Sequence, residues 1–156
     1  MLKKTSTKLQ VLAKLTINNS LLAQEYFEDA SLIGIQCPLE PHRMVWQINN
    51  RCQYNFEYQP ASDINLTKKG SSFSYPVFMC QELRFAMQHI IYTNQQRGEY
   101  LLPELRHFDF IWMLKTDRPI FNLVSLLVEE LKTIEKVQVA IQVDAEKIIR
   151  KKHLVL

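Results

Sequence analysis

The chain of 156 residues is 47% hydrophobic and 22% charged, a composition that supports one folded domain without disulfides or a structural metal. Its net charge of +3 permits an acidic partner without requiring one, and its three glycines lie too far apart to form a phosphate-binding loop. The three cysteines form no CxxC pair, and no apolar run approaches the ~20 residues of a membrane helix, so we expect a reduced, cytoplasmic protein without membrane contact.

The N-terminal region is predicted to hold short elements. Residues 8–17 favour a strand, because their apolar side chains fall mostly at odd positions, and the polar residues among them argue against a signal peptide. Residues 18–20 can cap a short helix, and residues 31–36 are typical of a brief strand. We treat residues 1–156 as a single domain, in which residues 1–18 are a candidate loosely ordered extension. The short helix would place on one side Leu21, Leu22, Tyr26 and Phe27.

A clearer helix is predicted to begin near Pro38 and Pro41, because proline is favoured in the first turn of a helix. Residues 53–70 turn polar after this helix, and their first aromatic residues alternate, which indicates an edge strand followed by a connection. The apolar side of the helix comprises Met44, Val45, Ile48 and Cys52, and the alternating aromatics are Tyr54, Phe56 and Tyr58.

Strand patterns dominate the middle of the chain. Residues 72–82 and 83–93 are rich in aromatic and aliphatic side chains, and residues 94–99 are a polar hairpin loop by composition. Residues 108–115 are apolar on both faces, which predicts a central strand covered on each side. One face carries Phe108, Phe110, Trp112 and Leu114, and the other Asp109, Ile111 and Met113.

The C-terminal third predicts a helix, a strand and two short elements. Asp117 is a candidate cap, Pro119 would lie in the first turn, and residues 137–143 alternate as in a strand buried on one face. Asp144 would cap a short helical turn, and residues 153–156 could add a last strand. The helix stripe is Phe121, Val124, Leu127, Val128 and Leu131. Clustered strands with flanking helices favour an α+β domain with a mostly antiparallel sheet.

Two carboxylates stand in the most apolar part of the sequence, in Leu102-Pro103-Glu104 and Phe108-Asp109-Phe110. This pattern resembles the signature of the IPExxxVDY family, small bacterial proteins found chiefly among Bacteroidetes whose function is uncharacterised. Three signature positions match, at Pro103, Glu104 and Asp109, and the other three keep an apolar or aromatic side chain. The segment around Gly34, the pair Trp46 and Asn49, and the lysine-rich turn before Leu154 are also similar to the family. The resemblance implies no substrate, cofactor or mechanism.

The signature acids have two interpretations. Glu104 and Asp109 could form an acid/base pair assisted by Arg106 or His107, if a bend at Pro103 brought the carboxylates together. In one straight strand, however, the two acids would lie about 16 Å apart on opposite faces. The favoured interpretation is structural, with Glu104 accepting hydrogen bonds from loop amides and Asp109 paired with an Arg or Lys.

Other candidate sites give weaker signals. His42, His89, His107 and His153 lack the spacing of metal ligands, so we expect hydrogen-bonded structural histidines and no metal or cofactor. A basic cluster near the C-terminus could contact the phosphates of a nucleic acid, although a solvated helix end is favoured. The cluster comprises Lys147, Arg150, Lys151 and Lys152.

Trp46 and Asn49 share a helix face and could line a ligand groove. The favoured interpretation is that the helix packs on the sheet through Trp46 while Asn49 caps the helix or bridges to a loop. We therefore predict a non-enzymatic interaction or scaffold module that binds a protein partner or a second copy of itself. The alternatives are a small enzyme or ligand-binding protein using Glu104 and Asp109, and a nucleic-acid-binding protein using the basic C-terminal segment.

Overall fold

The computed structural model describes residues 21–22, 24–83, 86–120 and 122–156. The predicted strand over residues 8–17 and the cap at residues 18–20 lie outside the described residues. The helices are α1 (Pro41–Cys52) and α2 (Leu123–Lys132), and residues 21–22 and 24–28 are also helical. Short 3-10 helices span Pro60–Ser62, Pro103–Leu105, Ala145–Lys147 and Lys151–Leu154. The strands are β1 (Ala30–Gln36), β2 (Glu57–Tyr58), β3 (Ile64–Lys68), β4 (Ser71–Tyr75), β5 (Val77–Glu82), β6 (Met87–Thr93), β7 (Gln95–Gln96), β8 (Glu99–Tyr100), β9 (Phe110–Lys115) and β10 (Val139–Val143).

In the described part of the chain, the main sheet has six strands in the order β10-β1-β9-β6-β5-β2, and every neighbouring pair is antiparallel. Two small antiparallel pairs, β3 with β4 and β7 with β8, lie outside this sheet. The predicted α+β class with an antiparallel sheet is therefore confirmed. The prediction of an interior strand near residues 108–115 is also confirmed, because β9 pairs with β1 on one side and β6 on the other.

Each face of the sheet has its own apolar core, because side chains alternate across a strand. On the helix-side core, α1 and α2 pack on Ile33, Trp112 and Ile91, which are paired across β1, β9 and β6. The opposite face of the sheet carries the second core. There the β3–β4 hairpin, residues 101–108 and the C-terminal 3-10 helices cover the sheet. This second core includes Leu32, Tyr75, Tyr92, Leu101, Leu105, Phe108, Ile111 and Leu154.

Several predicted boundaries in the middle of the chain are wrong. The connection after residue 58 contains a full strand, β3, and the predicted strand over residues 72–82 is two strands. Pro76 separates them, since it has no amide hydrogen to continue a ladder. Residues 94–99, predicted as a hairpin loop, form part of the small hairpin β7–β8. Phe108 packs with Ile111 in the second core, not with Phe110 as predicted, because β9 begins only at Phe110.

The C-terminal third also needs corrections. Asp117 does not cap the helix, because α2 begins at Leu123 with Asn122 at the N-cap position. The predicted stripe is confirmed at Val124, Leu127 and Leu131, which are buried, whereas Phe121 lies outside the described residues. The burial of strand β10 differs from the prediction. Ile141, on the face predicted to be buried, is 47% exposed, whereas Ala140, on the other face, is buried. The cap at Asp144 is confirmed by its hydrogen bond from the Glu146 amide.

Residues 153–154 belong to a 3-10 helix at Lys151–Leu154, so the predicted last strand over residues 153–156 is wrong. Leu154 is buried in the second core, which fixes this helix on the sheet. No helix in the described part of the chain is long and apolar enough to cross a membrane.

Candidate functional site

The signature segment is held in place by a buried amide, Asn94. Its Nδ2 donates hydrogen bonds to the carbonyl oxygens of Leu105 (3.0 Å) and Phe108 (2.8 Å), and its Oδ1 accepts one from the amide of Leu102 (2.8 Å). The side chain is fully buried, and these bonds replace the water that the main-chain groups of a tight loop would otherwise need. Asn94 therefore sets the path of residues 101–109.

Glu104 fastens the C-terminal segment to this loop. Its Oε1 accepts hydrogen bonds from the amides of Ile149 (3.0 Å) and Arg150 (2.8 Å), and its Oε2 lies 2.9 Å from the Arg150 guanidinium. The Glu104 side chain is only 8% exposed. Desolvation raises the pKa of this carboxyl, but the Arg150 amide and guanidinium outweigh it, so the net pKa is below its ordinary value. The prediction that Glu104 binds loop amides is confirmed.

Asp109 has a different partner from the one predicted. Its Oδ2 accepts a hydrogen bond from the amide of Cys37 (2.8 Å), directly after β1, and no described Arg or Lys forms an ion pair with it. Desolvation raises the pKa of Asp109, and the Cys37 amide opposes that rise only in part. The predicted cation partner is therefore wrong, although the structural role that went with it fits the geometry.

The two acids thus act on separate parts of the fold. Glu104 faces the C-terminal segment and Asp109 faces the end of β1, so each carboxylate already has main-chain partners. The neighbouring signature positions do not complete a reaction site: Arg106 and His107 are exposed and Phe110 is buried in the helix-side core. Pro103 begins the 3-10 helix that carries Glu104. The signature segment therefore has a structural role: it connects the C-terminal segment and the end of β1 to the rest of the fold.

His89 is fully buried, and both of its ring nitrogens have polar partners. The Trp112 indole donates to its Nδ1 (3.2 Å), and its Nε2 lies 3.0 Å from Glu82 Oε2. Because an indole N–H can only donate, Nδ1 must accept and Nε2 must carry the proton. Desolvation lowers the pKa of His89 despite the opposing effect of Glu82, which favours the neutral ring. Both nitrogens are occupied, so the predicted structural role is confirmed.

The other histidines differ from one another. His153 Nδ1 lies 3.1 Å from the Leu101 carbonyl oxygen, in agreement with a structural role. His42 is exposed, and its ring packs edgewise on Tyr58 and Phe78, with 5.3 Å between ring centroids in each case. Among the described residues, no group of three His, Cys, Asp or Glu side chains could hold a metal ion.

A surface groove of about 930 Å³ runs between α1 and the turn that follows α2. Trp46 lies in this groove with 62% of its surface exposed, so we call it the Trp46 groove. One wall is the outer face of α1, formed by His42, Arg43, Trp46, Gln47, Asn50 and Arg51, with Leu39 before it. The other wall is residues 133–136, which are Thr133, Ile134, Glu135 and Lys136.

The two walls are tied together by Arg51. Its Nε donates to Thr133 Oγ1 (2.9 Å) and its guanidinium also donates to the Thr133 carbonyl oxygen (3.4 Å). Ile134 anchors the turn that follows α2, because its side chain is buried in the helix-side core. The groove is therefore a preformed feature of the fold.

The predictions for Trp46 and Asn49 had different outcomes. Asn49 bridges to a loop as expected, since its side chain both accepts from the Phe56 amide (2.8 Å) and donates to the Phe56 carbonyl (3.1 Å). The prediction that Trp46 packs on the sheet is wrong, because Met44, Val45 and Ile48 occupy the side of α1 that faces the sheet. The signal was present in the sequence: Trp46 falls off the stripe that these three residues define.

The basic C-terminal cluster is partly engaged within the protein. Arg150 is bound to Glu104, and the Lys151 ammonium lies 5.8 Å from the centre of the Phe27 ring. Lys147 and Lys152 are exposed. Only part of the cluster is thus displayed for a phosphate.

Compared with models of known protein families and with curated proteins, the chain matches none. The resemblance to the IPExxxVDY family therefore stays a prediction.

Proposed function

We propose that the protein is a non-enzymatic interaction module whose partner is another protein and whose binding site is the Trp46 groove. The observation that carries this proposal is the exposure of Trp46, a large aromatic residue held on a rigid helix beside a preformed groove. Tryptophan is enriched among the residues that dominate the energy of protein interfaces. We further propose a cytoplasmic location and membership in the IPExxxVDY family.

The groove suits a macromolecular partner better than a reaction. Catalytic pockets bury most of a small ligand and exclude water, whereas Trp46, Arg43 and Lys136 remain exposed in this groove. The alternative site at Glu104 and Asp109 is less favoured, because main-chain groups already occupy both carboxylates. A nucleic-acid site at the C-terminus is less favoured because Arg150 and Lys151 have partners within the protein.

The test is affinity capture from the cells that naturally produce the protein, with Trp46→Ala compared with wild type. Leu126→Ala is the matched control, because Leu126 is 64% exposed on α2 and lies outside the groove. Both variants should keep the wild-type circular dichroism and unfolding midpoint, since neither side chain is in a core. We expect a partner that Leu126→Ala retains and Trp46→Ala loses. Equal retention of every captured protein by the two variants would contradict the proposal.

Self-association is a separate outcome of the same experiment. If the partner is a second copy of the chain, analytical ultracentrifugation of wild type will show a dimer that Trp46→Ala converts to a monomer. A dimer that survives Trp46→Ala would place the self-contact elsewhere, for example at the edge strand β10 with its exposed Ile141.

A further inference from the structure

Resting on the proposed function of the Trp46 groove, we infer that the groove recognises a short acidic segment of the partner, with an apolar side chain of that segment packed on the Trp46 indole. The charges of the groove carry this inference. Arg43, Arg51 and Lys136 line it, and Glu135 is the single carboxylate among the described residues that do so. None of the three cations forms an ion pair with a residue that the structure describes.

The positions of the cations match an extended segment. The lining residues of α1 recur every three or four positions from His42 to Arg51, so the groove follows one face of the helix for roughly 14 Å at 1.5 Å per residue. That length corresponds to about four residues of extended chain. Arg43 and Arg51 stand two turns apart along this face, with Trp46 between them, and Lys136 lies on the opposite wall. An acidic segment with a central apolar side chain would thus meet cations on both sides of the indole.

Arg51 is available to such a segment without losing its structural contact. Its Nε and one terminal nitrogen are bonded to Thr133, which is a neutral residue, so the guanidinium charge is not neutralised by a carboxylate. A guanidinium has five N–H donors, and those not used by Thr133 can bind a partner carboxylate. The contact with Thr133 also holds the guanidinium in place, which lowers the entropy cost of binding.

A single-stranded nucleic acid is the competing occupant, because cations beside an exposed aromatic residue can also bind phosphates and stack a base. Sites of that kind combine a basic groove with a series of aromatic platforms. Among the described residues that line the Trp46 groove, Trp46 is the one Phe, Tyr or Trp side chain, and the His42 ring packs edgewise on Tyr58 and Phe78. Glu135 would also repel a phosphate. These features favour the acidic peptide.

The experiment is a fluorescence titration of the whole chain with a synthetic peptide of glutamates spaced by leucines. Trp46 and Trp112 are the two tryptophans, and Trp112 is fully buried, so a change in the solvent-exposed component of the emission reports on Trp46. The comparison probes are the same peptide with glutamine in place of glutamate, and a short single-stranded oligothymidylate. We expect saturable binding of the glutamate peptide that weakens with added salt, and binding of the glutamine peptide that is weaker by about tenfold or more.

Charge-removing variants locate the interaction. Arg43→Gln with Lys136→Gln should weaken binding of the glutamate peptide by about tenfold, whereas Lys147→Gln with Lys152→Gln, which removes two exposed cations outside the groove, should leave it unchanged. Equal binding of the glutamate and glutamine peptides, equal effects of the two double variants, absence of glutamate-peptide binding, or tighter binding of the oligonucleotide would each overturn the inference. A partner captured through Trp46 that tolerates Arg43→Gln with Lys136→Gln would leave the proposed function standing and remove only the acidic character of the segment.

Discussion

At the scale of single residues, folding has opposite effects on the ionisation of the two signature acids. Glu104 accepts two amide hydrogen bonds and pairs with Arg150, so folding favours its ionised form. Asp109 is desolvated with one amide partner from Cys37, so folding disfavours its ionised form. Two carboxylates five positions apart in the sequence therefore make opposite contributions to the pH dependence of stability.

We expect Glu104→Gln to lower the free energy of unfolding at neutral pH by about 1–3 kcal/mol, because it removes charge-assisted hydrogen bonds in a site with little solvent. The folded-state pKa of Glu104 lies below its unfolded value, so this contribution is present above the unfolded pKa and is lost as the pH falls through the folded pKa. Urea unfolding of wild type and variant across acidic to neutral pH measures the difference. Glu146→Gln, an exposed glutamate in the neighbouring 3-10 helix, is the control and should change little. A Glu104→Gln difference that does not shrink in acid would contradict the assignment.

Asp109→Asn should be neutral or stabilising at neutral pH, by up to about 1 kcal/mol, because an amide oxygen can still accept from the Cys37 amide while the desolvated charge is gone. Because the folded-state pKa of Asp109 is raised above its unfolded value, the cost of ionising Asp109 begins as the pH rises through the unfolded pKa and is complete above the folded pKa. The advantage of the variant over wild type should therefore grow from acidic to neutral pH in the same unfolding experiment. A loss at neutral pH as large as that of Glu104→Gln would mean that the Asp109 charge itself holds the fold.

At the scale of elements, the loop that carries the signature is fitted to strand β1. A Cβ built on Gly34 would lie 2.7 Å from the Phe108 ring, so the ring packs directly on the backbone of β1. The glycine and the signature are distant in the sequence but adjacent in the fold. This contact gives a physical reason for a glycine in a strand that is otherwise apolar.

Gly34→Ala should lower the free energy of unfolding by about 1–3 kcal/mol, since Phe108 must move from a packed core to admit the methyl group. Combining it with Phe108→Leu should cost less than the sum of the two single substitutions, because the smaller side chain leaves room for the methyl. A double-mutant cycle by chemical denaturation measures this coupling. Strict additivity would show that the two positions do not oppose each other.

The elements that could be predicted from the sequence are those with a strong local pattern. The buried sides of α1 and α2 follow from apolar periodicity, and the interior position of β9 follows from a run that is apolar on both faces; both patterns lie within neighbouring residues. The division at Pro76, the late start of α2 at Leu123 and the partner of Asp109 depend on contacts between distant segments. Cys37 and Asp109 are 72 residues apart, and no local pattern specifies such a pairing.

At the scale of the whole molecule, the candidate site lies on the helix side of the sheet, away from the signature. Helices α1 and α2 bury their apolar stripes in the helix-side core, and the groove forms between the outer surface of α1 and the turn after α2. The sequence pattern of α1 placed Trp46 off the buried stripe, but the second wall is brought by residues more than 80 positions later. The groove could therefore be recognised only once α1 and α2 were seen side by side.

The same arrangement separates stability from binding. Residues that fix the fold, such as Asn94, Glu104 and Gly34, act on the second core and its loops, whereas the groove residues Trp46 and Arg43 are exposed on α1. Substitutions of Trp46 and Arg43 should consequently leave the unfolding midpoint close to that of wild type, since exposed side chains contribute little to stability.

The measurement that tests the central claim most directly is photocrosslinking in living cells, with a benzophenone amino acid placed at position 50 or at position 126 and Trp46 left intact. Both positions are exposed on helices, but only the first lies in the Trp46 groove. We expect a discrete crosslinked protein from position 50 and none from position 126. No crosslink from position 50, or the same products from both positions, would contradict a partner-binding role for the groove.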